Sequence, residues 1–452
     1  MTLTSVLNGL FGLALLTGIT FLFSNNKKRI NWRLVLAGYG LQIVFAVFML
    51  KGAELAVYFS PFGWPKTLFE WISAGFVKVL SFTTEGGKFV FGNLALSPGT
   101  EGNLGFFFAF QVLPTIIFFA SLMSLFYYLG VMQRIVQAMA WVMARVMGTS
   151  GAESLSNAAN IFVGQTEAPL MIRPFLKGTT QSELLTVMVG GMAHISGGVM
   201  AAYAIMLGFA YSKAHGMTLD ASQAKFATQL LGAVVMATPG CMAIAKILYP
   251  ETGDPETKGK VKVKIEKNAS NVIEAAAAGA GDGLHLALNV GAMLLAFIPL
   301  IALINYILTG LGSITGLNAI LVNAYGQPLS LQLCFGIVLQ YLAVAIGVPW
   351  SEALQVGSLI GTKLVVNEFV GYLDLSSMIT TGKLVSDKAI LMATFALCGF
   401  ANFSSIAIQI GGLSPLAPDR RKDLAALGLR AVLGGTIANL MTAAIAGMFF
   451  SA

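Results

Sequence analysis

Long apolar runs recur along this chain and restrict its fold more than any other feature. A helix needs about twenty apolar residues to cross ~30 Å of hydrocarbon, and eight runs are long enough. Only 10% of the residues are charged, against about 25% in soluble domains. The sequence therefore predicts an all-α integral membrane protein with eight transmembrane helices. The predicted spans are 5–23, 33–50, 105–129, 183–211, 227–249, 284–308, 389–411 and 424–450.

Basic residues between these runs predict the topology. They form clusters at 27–33, 134–145, 258–267 and 420–422. With eight spans and both termini outside, all of these clusters lie in the cytoplasm, as the positive-inside rule requires. The first run is predicted to be a span and not a signal peptide, because its basic residues follow the apolar stretch. No cysteine pair has CxxC spacing, so neither a disulfide framework nor a zinc site is indicated.

Two further segments, 153–176 and 351–373, are apolar but interrupted by polar groups. Each is short for two crossings and long for a loop, which is typical of re-entrant hairpins that enter and leave the membrane on one side. We predict interfacial helices over 135–148 and 331–348, although the second stretch is just long enough to cross. Residues 51–103 are predicted to form an interfacial helix and an external loop.

The two hairpin segments resemble each other. Each opens with a Glu beside a Ser, at Glu153 and Glu352, and reaches a second acid about fifteen positions later, at Glu167 and Glu368. Each precedes a span with a weak middle, at 190–200 and 398–406, where a helix could unwind. Chance similarity is the alternative. However, the hairpins open from opposite faces in the predicted topology, and inverted repeats with broken helices are the architecture of secondary transporters.

Four motifs carry a resemblance to a known family. The stretches VGQTEAPL (163–170), NVIEAAAAGAGDGLHLALNVGAML (271–294), GVPWSEALQVGSLIGTKLVVNEFVGY (347–372) and CGFANFSSI (398–406) resemble the concentrative nucleoside transporters. The resemblance implies nucleoside import by symport with sodium, elevator-type alternating access and a homotrimer. It also implies a bacterial inner-membrane protein that takes uridine-like nucleosides.

The resemblance further implies a division into scaffold and transport domains. Scaffold spans and an external segment cover 1–130, and the first inverted repeat covers 131–249. A cytoplasmic loop and a scaffold span cover 250–330, and the second inverted repeat covers 331–452.

Carried over by position, the resemblance implies a nucleoside site at the hairpin tips. Gly164, Gln165, Thr166 and Glu167 would face the nucleobase, whose edge needs both donors and acceptors. Val199 and Phe400 would form apolar walls, while Glu368, Asn402 and Ser405 would bind the ribose hydroxyls. The alternative for the two acids is a buried ion pair, with Arg173 for Glu167 or Lys363 for Glu368.

The sodium site implied by the family comprises the Asn160 side chain, the carbonyls of Val163 and Ile195, and residue 194. Sodium is a hard cation that prefers oxygen ligands, but position 194 holds His194. An imidazole is a poor sodium ligand and can carry a proton. Proton coupling therefore stays an alternative, as does a simple hydrogen bond from His194 to a neighbouring helix.

Other classes fit the sequence less well. His215 and His285 lie in no HExxH-like motif and no GxSxG occurs, which disfavours an enzyme. A channel would not need two occluding hairpins, and a dicarboxylate carrier would need cationic tips where this chain has acids. The acidic tips favour a neutral solute rich in hydroxyls, so the remaining alternative is a carrier or channel for another neutral polar solute.

Overall fold

A computed structural model describes residues 3–96, 100–259 and 269–450. Over these ranges the chain is helical and contains no strand, apart from one isolated backbone bridge between Ser150 and Lys258. Most of the predicted basic cluster at 258–267 lies outside the described residues. The α-helices, in chain order, are α1 (Leu3–Leu22), α2 (Trp32–Tyr58), α3 (Trp64–Phe91), α4 (Phe108–Gln111), α5 (Leu113–Tyr128), α6 (Val131–Met147), α7 (Gly151–Ala159), α8 (Gln181–Ala193), α9 (Gly197–His215), α10 (Leu219–Leu248), α11 (Val272–Ile314), α12 (Leu317–Tyr325), α13 (Leu331–Ala345), α14 (Trp350–Val365), α15 (Glu368–Thr380), α16 (Asp387–Leu397), α17 (Phe403–Leu413) and α18 (Arg421–Phe449).

All eight predicted spans fall on helices. Seven helical stretches of the described chain are long and apolar enough to cross a membrane, and the predicted span 389–411 is divided between α16 and α17. The predicted limits of the span 284–308 were wrong at both ends, because α11 extends over 43 residues, from Val272 to Ile314. Its first turns are rich in Ala and Gly and carry Glu274 and Asp282. These residues lower the hydropathy, yet their small neighbours favour close packing of helices.

Two spans are broken, where the sequence predicted weak middles. Residues 194–196 separate α8 from α9, and residues 398–402 separate α16 from α17. The two breaks lie against each other, because the backbone N–H of Phe400 donates to the carbonyl of His194 (3.3 Å). Unwound backbone deep in the protein leaves polar groups available for a solute or an ion.

The predicted hairpins also have counterparts. Hairpin 1 (residues 151–178) begins with α7, whose first turn is held by a capping box of Ser150 and Glu153. It returns through short 3₁₀ turns, so only its first arm is α-helical. Hairpin 2 consists of α14 and α15, and the Asn367 side chain between them caps α15. The preceding helix α13 meets α14 at 117°, consistent with an interfacial helix that turns into the hairpin.

Glycines allow α5 and α11 to approach closely. A Cβ atom added at Gly279 would lie 2.5 Å from the Cβ of Ser124, and one at Gly283 would lie 2.7 Å from the Cα of Ile117. The hydroxyl of Ser124 donates across the same contact to the carbonyl of Ala275 (2.7 Å). The two helices therefore interlock into one wall.

The contact between this wall and α9 is looser. A Cβ atom at Gly198 would lie 3.5 Å from the carbonyl of Ile116, an ordinary van der Waals distance. Behind α9, helices α8, α10, α16 and α18 form the buried core.

Candidate solute and ion site

Gln165 links hairpin 1 to the second broken span. Its Nε2 donates to the hydroxyl of Ser405 (3.3 Å), and its Oε1 accepts from Nε2 of Gln409 (3.2 Å). Gln409 also donates to the carbonyl of Met188 in α8 (2.9 Å). All three side chains are buried. The tip of hairpin 1 and the first turns of α17 thus share one polar cluster.

Glu368 extends this cluster to hairpin 2. Its Oε2 accepts from Nδ2 of Asn402 (3.0 Å), and its Oε1 accepts from the hydroxyl of Tyr203 (3.3 Å). Asn402 is the N-cap of α17 and accepts the backbone N–H of Ser405 (2.9 Å). A continuous hydrogen-bonded network therefore runs from Tyr203 through Glu368, Asn402 and Ser405 to Gln165. We call it the tip network.

Glu167 lies apart from the tip network. Its Oε2 accepts the backbone N–H of Gly164 (3.0 Å), and the residue is exposed. It lines a cavity of about 1100 Å³ between hairpin 1, α5 and α11, to which Asp282 also contributes. Of the residues predicted to face a nucleobase, the structure therefore brings Gln165, but not the Glu167 carboxylate, into the network.

The other predicted residues border the same region. Thr166 packs against Gly412 of α17: a Cβ atom added at Gly412 would lie 2.5 Å from Cγ2 of Thr166. Val199 is buried in the first turn of α9, and Phe400 is half-buried in the second break. The start of α9, just after the first break, and the second break thus each contribute an apolar side chain.

Neither acid forms the ion pair considered as the alternative. Among the described residues, no salt bridge involves Glu167 or Glu368. The Lys363 ammonium instead donates to the carbonyl of Ala396 (2.9 Å) and to Oδ1 of Asn439 (2.7 Å). Arg173 lines the cavity.

Asn160 is an unpaired polar group in the interior. Its side chain is 1% exposed, and within the described part of the chain neither Oδ1 nor Nδ2 has a hydrogen-bond partner. Buried amides are nearly always bonded, so such a group needs an explanation. The carbonyls of Val163 and Ile195 likewise accept no hydrogen bond from the described residues. The N–H of Gly197 donates to the carbonyl of Phe162 (3.1 Å) and holds hairpin 1 against the first break. These free oxygens suit a hard cation.

His194 directs its ring elsewhere. Nδ1 lies 2.7 Å from the carbonyl of Gly190 and therefore donates to it, and Nε2 lies 2.9 Å from the Thr238 hydroxyl of α10. Both ring nitrogens are thus engaged, as in the simple hydrogen-bonding interpretation. Among the described residues, the His194 side chain offers no free ligand atom to a cation.

Sequence reasoning did not predict the roles of Gln409, Tyr203 and Asn439. Helical spacing could have indicated two of them, because Asn402, Ser405 and Gln409 share one face of α17 and Tyr203 follows Val199 by one turn. Asn439 carries no such signal, since its partners lie on other helices.

Comparison with known proteins gives matches over most of the chain. The family described as "Na+ dependent nucleoside transporter" matches with its N-terminal part at residues 11–94 and its C-terminal part at residues 229–447. A family described as "Nucleoside recognition" matches residues 109–210.

Several bacterial relatives match along almost their whole length. An uncharacterized transporter of Haemophilus influenzae is 45% identical over 98% of this chain and 98% of its own. The nucleoside permease NupC of Helicobacter pylori is 42% identical over the same shares. The structure of CNTnw in an inward-facing substrate-bound state is similar with a TM-score of 0.83 and 41% identity, over 98% of this chain and 99% of that one. A variant of CNTnw solved in an outward-facing state also has a TM-score of 0.83.

Proposed function

Because this chain belongs to the family of Na+-dependent nucleoside transporters, we propose that it imports nucleosides by symport with sodium. The proposed location is the inner membrane of a bacterium, with both termini outside, and uridine-like nucleosides are the proposed solutes. The observation that carries the proposal is the tip network, in which both hairpins and the second break meet through buried hydrogen bonds.

The chemistry of the tip network suits a nucleoside. Gln165 offers one donor and one acceptor to a base edge, with Thr166 beside it. Glu368 is a charged acceptor for vicinal hydroxyls, and Asn402 and Ser405 complete the ribose side. Val199 and Phe400 supply apolar surface for the flat base. Glu167 lines the cavity and accepts the N–H of Gly164, and these two residues are proposed to contact the solute on its way to the cytoplasm.

Sodium is proposed to bind Asn160 and the carbonyls of Val163 and Ile195. The unpaired Asn160 amide supports this assignment. The engagement of both His194 ring nitrogens argues against a proton carrier there. His194 therefore contributes to the proposed site through its position in the break and not through its imidazole.

Uptake of labelled uridine into proteoliposomes tests the coupling, with sodium and proton gradients imposed separately. We expect an inward sodium gradient to accelerate uptake and an inward proton gradient to have no effect. Acceleration by protons alone would overturn the sodium assignment and favour the proton-coupled alternative.

The transport step is proposed to be a sliding motion. The two hairpins and the two broken spans would move as one body past a scaffold of α1, α2, α5 and α11. The interlocked α5–α11 contact and the looser α5–α9 contact support this division. A homotrimer is proposed, with its contact mainly on α5 and α11, since α11 exposes large apolar side chains such as Leu288, Leu295 and Leu303.

Thiol cross-linking tests the sliding motion in a variant without Cys241, Cys334 and Cys398. A cysteine near Glu167, at the cavity-lining Leu170, should react with different scaffold cysteines in inward and outward conditions. The matched control pairs cysteines at Ser121 and Ala276 within the scaffold, where the Ser121 hydroxyl donates to the Ala276 carbonyl (2.8 Å), and this pair should cross-link in every state. If Leu170→Cys keeps one scaffold partner in all states while transport continues, sliding is wrong and local hairpin gating replaces it.

A further inference from the structure

Asn439 of α18 joins the ends of two half-helices. Its Nδ2 donates to the carbonyl of Ala193 (2.8 Å), the last residue of α8, and to the carbonyl of Cys398 (2.7 Å), which follows α16. The amide orientation follows from chemistry, because both carbonyls can only accept. One buried side chain thus binds the carboxyl ends of α8 and α16, the first half-helices of the two broken spans.

Lys363 completes this arrangement from hairpin 2. Its ammonium donates to Oδ1 of Asn439 (2.7 Å) and to the carbonyl of Ala396 (2.9 Å) in the last turn of α16. The residue is 2% exposed, and no carboxylate of the described chain lies within ion-pair distance. The cation is therefore held by backbone and amide oxygens at a helix carboxyl end, where the helix dipole favours positive charge.

The positions of these partners connect the proposed sites. Ala193 stands two residues before Ile195, whose carbonyl is a proposed sodium ligand. Lys363 stands five residues before Glu368, the proposed ribose acceptor on the same hairpin. The bonds from Lys363 through Asn439 to Ala193 are a short, fully buried path between the ion site and hairpin 2.

We propose that Lys363 and Asn439 are positioning residues that couple sodium binding to nucleoside binding. The pair touches neither the ion nor the solute. The pair holds the two breaks in a fixed relative position. When sodium binds and orders the first break, the second break with Phe400 and hairpin 2 therefore become ordered as well. This inference rests on the proposed sodium-driven function.

The test is the ratio of nucleoside dissociation constants without and with saturating sodium, measured for uridine on purified protein. Energetic coupling between two sites is typically about five- to 150-fold. We expect wild type to show such a ratio. Lys363→Met and Asn439→Ser should each lower this ratio to between 1 and about 2. In the double variant their effects should not add, since both substitutions interrupt the same path.

Glu352→Gln is the matched control. The Glu352 carboxylate of hairpin 2 accepts the backbone N–H groups of Val385 (2.7 Å) and Ser386 (2.8 Å) at the start of α16, so this variant also weakens hydrogen bonds between hairpin 2 and α16. These partners lie at the end of α16 away from the second break, and the ratio of this variant should equal that of wild type. A ratio that falls equally in Glu352→Gln would overturn the proposal, because general loosening would then suffice.

The outcomes separate this proposal from the proposed function. If wild type shows no sodium effect on uridine binding, the sodium-coupled function itself is wrong. If wild type shows the effect and folded Lys363→Met keeps it, the coupling role is wrong while the function stands. Should Lys363→Met not fold, Asn439→Ser decides alone: an unchanged ratio overturns the proposal and a lost ratio supports it.

Discussion

Replacing Glu368 by glutamine isolates the charge of the proposed ribose acceptor. Glu368 is 5% exposed and has two neighbours in the tip network, Asn402 and Tyr203. A glutamine can accept from Asn402 through Oε1 and donate to the Tyr203 hydroxyl, which can also accept. Both neighbours thus keep a partner, and Glu368→Gln should leave the fold intact.

The expected loss lies in solute binding. A hydrogen bond to a charged group is worth about 1.5–3 kcal/mol, which corresponds to an affinity loss of about ten- to 150-fold for uridine. For a solute without the vicinal hydroxyls, such as 2′,3′-dideoxyuridine, the same substitution should change the affinity by less than about threefold. Wild type should bind the dideoxy compound more weakly than uridine, and Glu368→Gln should lose most of this discrimination.

The assay is equilibrium binding of both nucleosides to purified protein at saturating sodium. Glu352→Gln is the control, because Glu352 lies in the first turn of the same hairpin and accepts the backbone N–H groups of Val385 (2.7 Å) and Ser386 (2.8 Å). This variant should lower the melting temperature and leave the uridine affinity within about twofold. If Glu368→Gln weakens both nucleosides equally, Glu368 does not face the ribose.

Three further outcomes can be measured. Asn160→Ala should raise the sodium concentration for half-maximal uptake about tenfold or more, since a buried ligand oxygen is lost; an unchanged value would exclude Asn160 from the ion site. His194→Gln should keep the dependence on sodium, and a change of driving ion would contradict the hydrogen-bonding role of its ring. In the loop that follows α10, burial alone would raise the pKa of Glu251, but the Lys246 ammonium (3.3 Å) and local hydrogen bonds lower this pKa overall. A lowered pKa in the folded state stabilises the protein above about pH 4.3, and this contribution is lost as the pH falls through the folded pKa. The melting temperature of Glu251→Gln should accordingly fall less steeply in acid than that of wild type.

The sequence predicted the spans and the breaks because both depend on local composition. A run of about twenty apolar residues has few alternatives to a membrane helix, and the Gly, Asn and Ser residues at 190–200 and 398–406 weaken helices wherever they occur. The family resemblance then indicated Gln165, Asn402 and Ser405, which the fold brings together. The limits of α11 were missed because hydropathy does not report the close packing that its Ala and Gly residues permit.

Other features depend on contacts that no local pattern records. The ring of His194 lies in unwound backbone, where neither helical nor strand periodicity says which way a side chain points. The carboxylate of Glu167 faces the cavity although Gln165, two residues earlier, joins the tip network. Lys363 was considered only as an ion-pair partner, since an amide and a carbonyl as its acceptors could not be foreseen from the sequence.

The glycine contacts of α5 have a mechanical consequence for the two sides of that helix. On the side that faces α11, Gly279 and Gly283 lie so close to Ser124 and Ile117 of α5 that the two helices interlock. Shifting one helix along the other would cause steric clashes. Toward α9, a Cβ atom at Gly198 would make only ordinary van der Waals contact with Ile116 and Phe119, so the helices do not interlock at this position. Under the proposed sliding motion, α5 and α11 would therefore stay together, and the contact between α5 and α9 is where the moving body would separate from the scaffold.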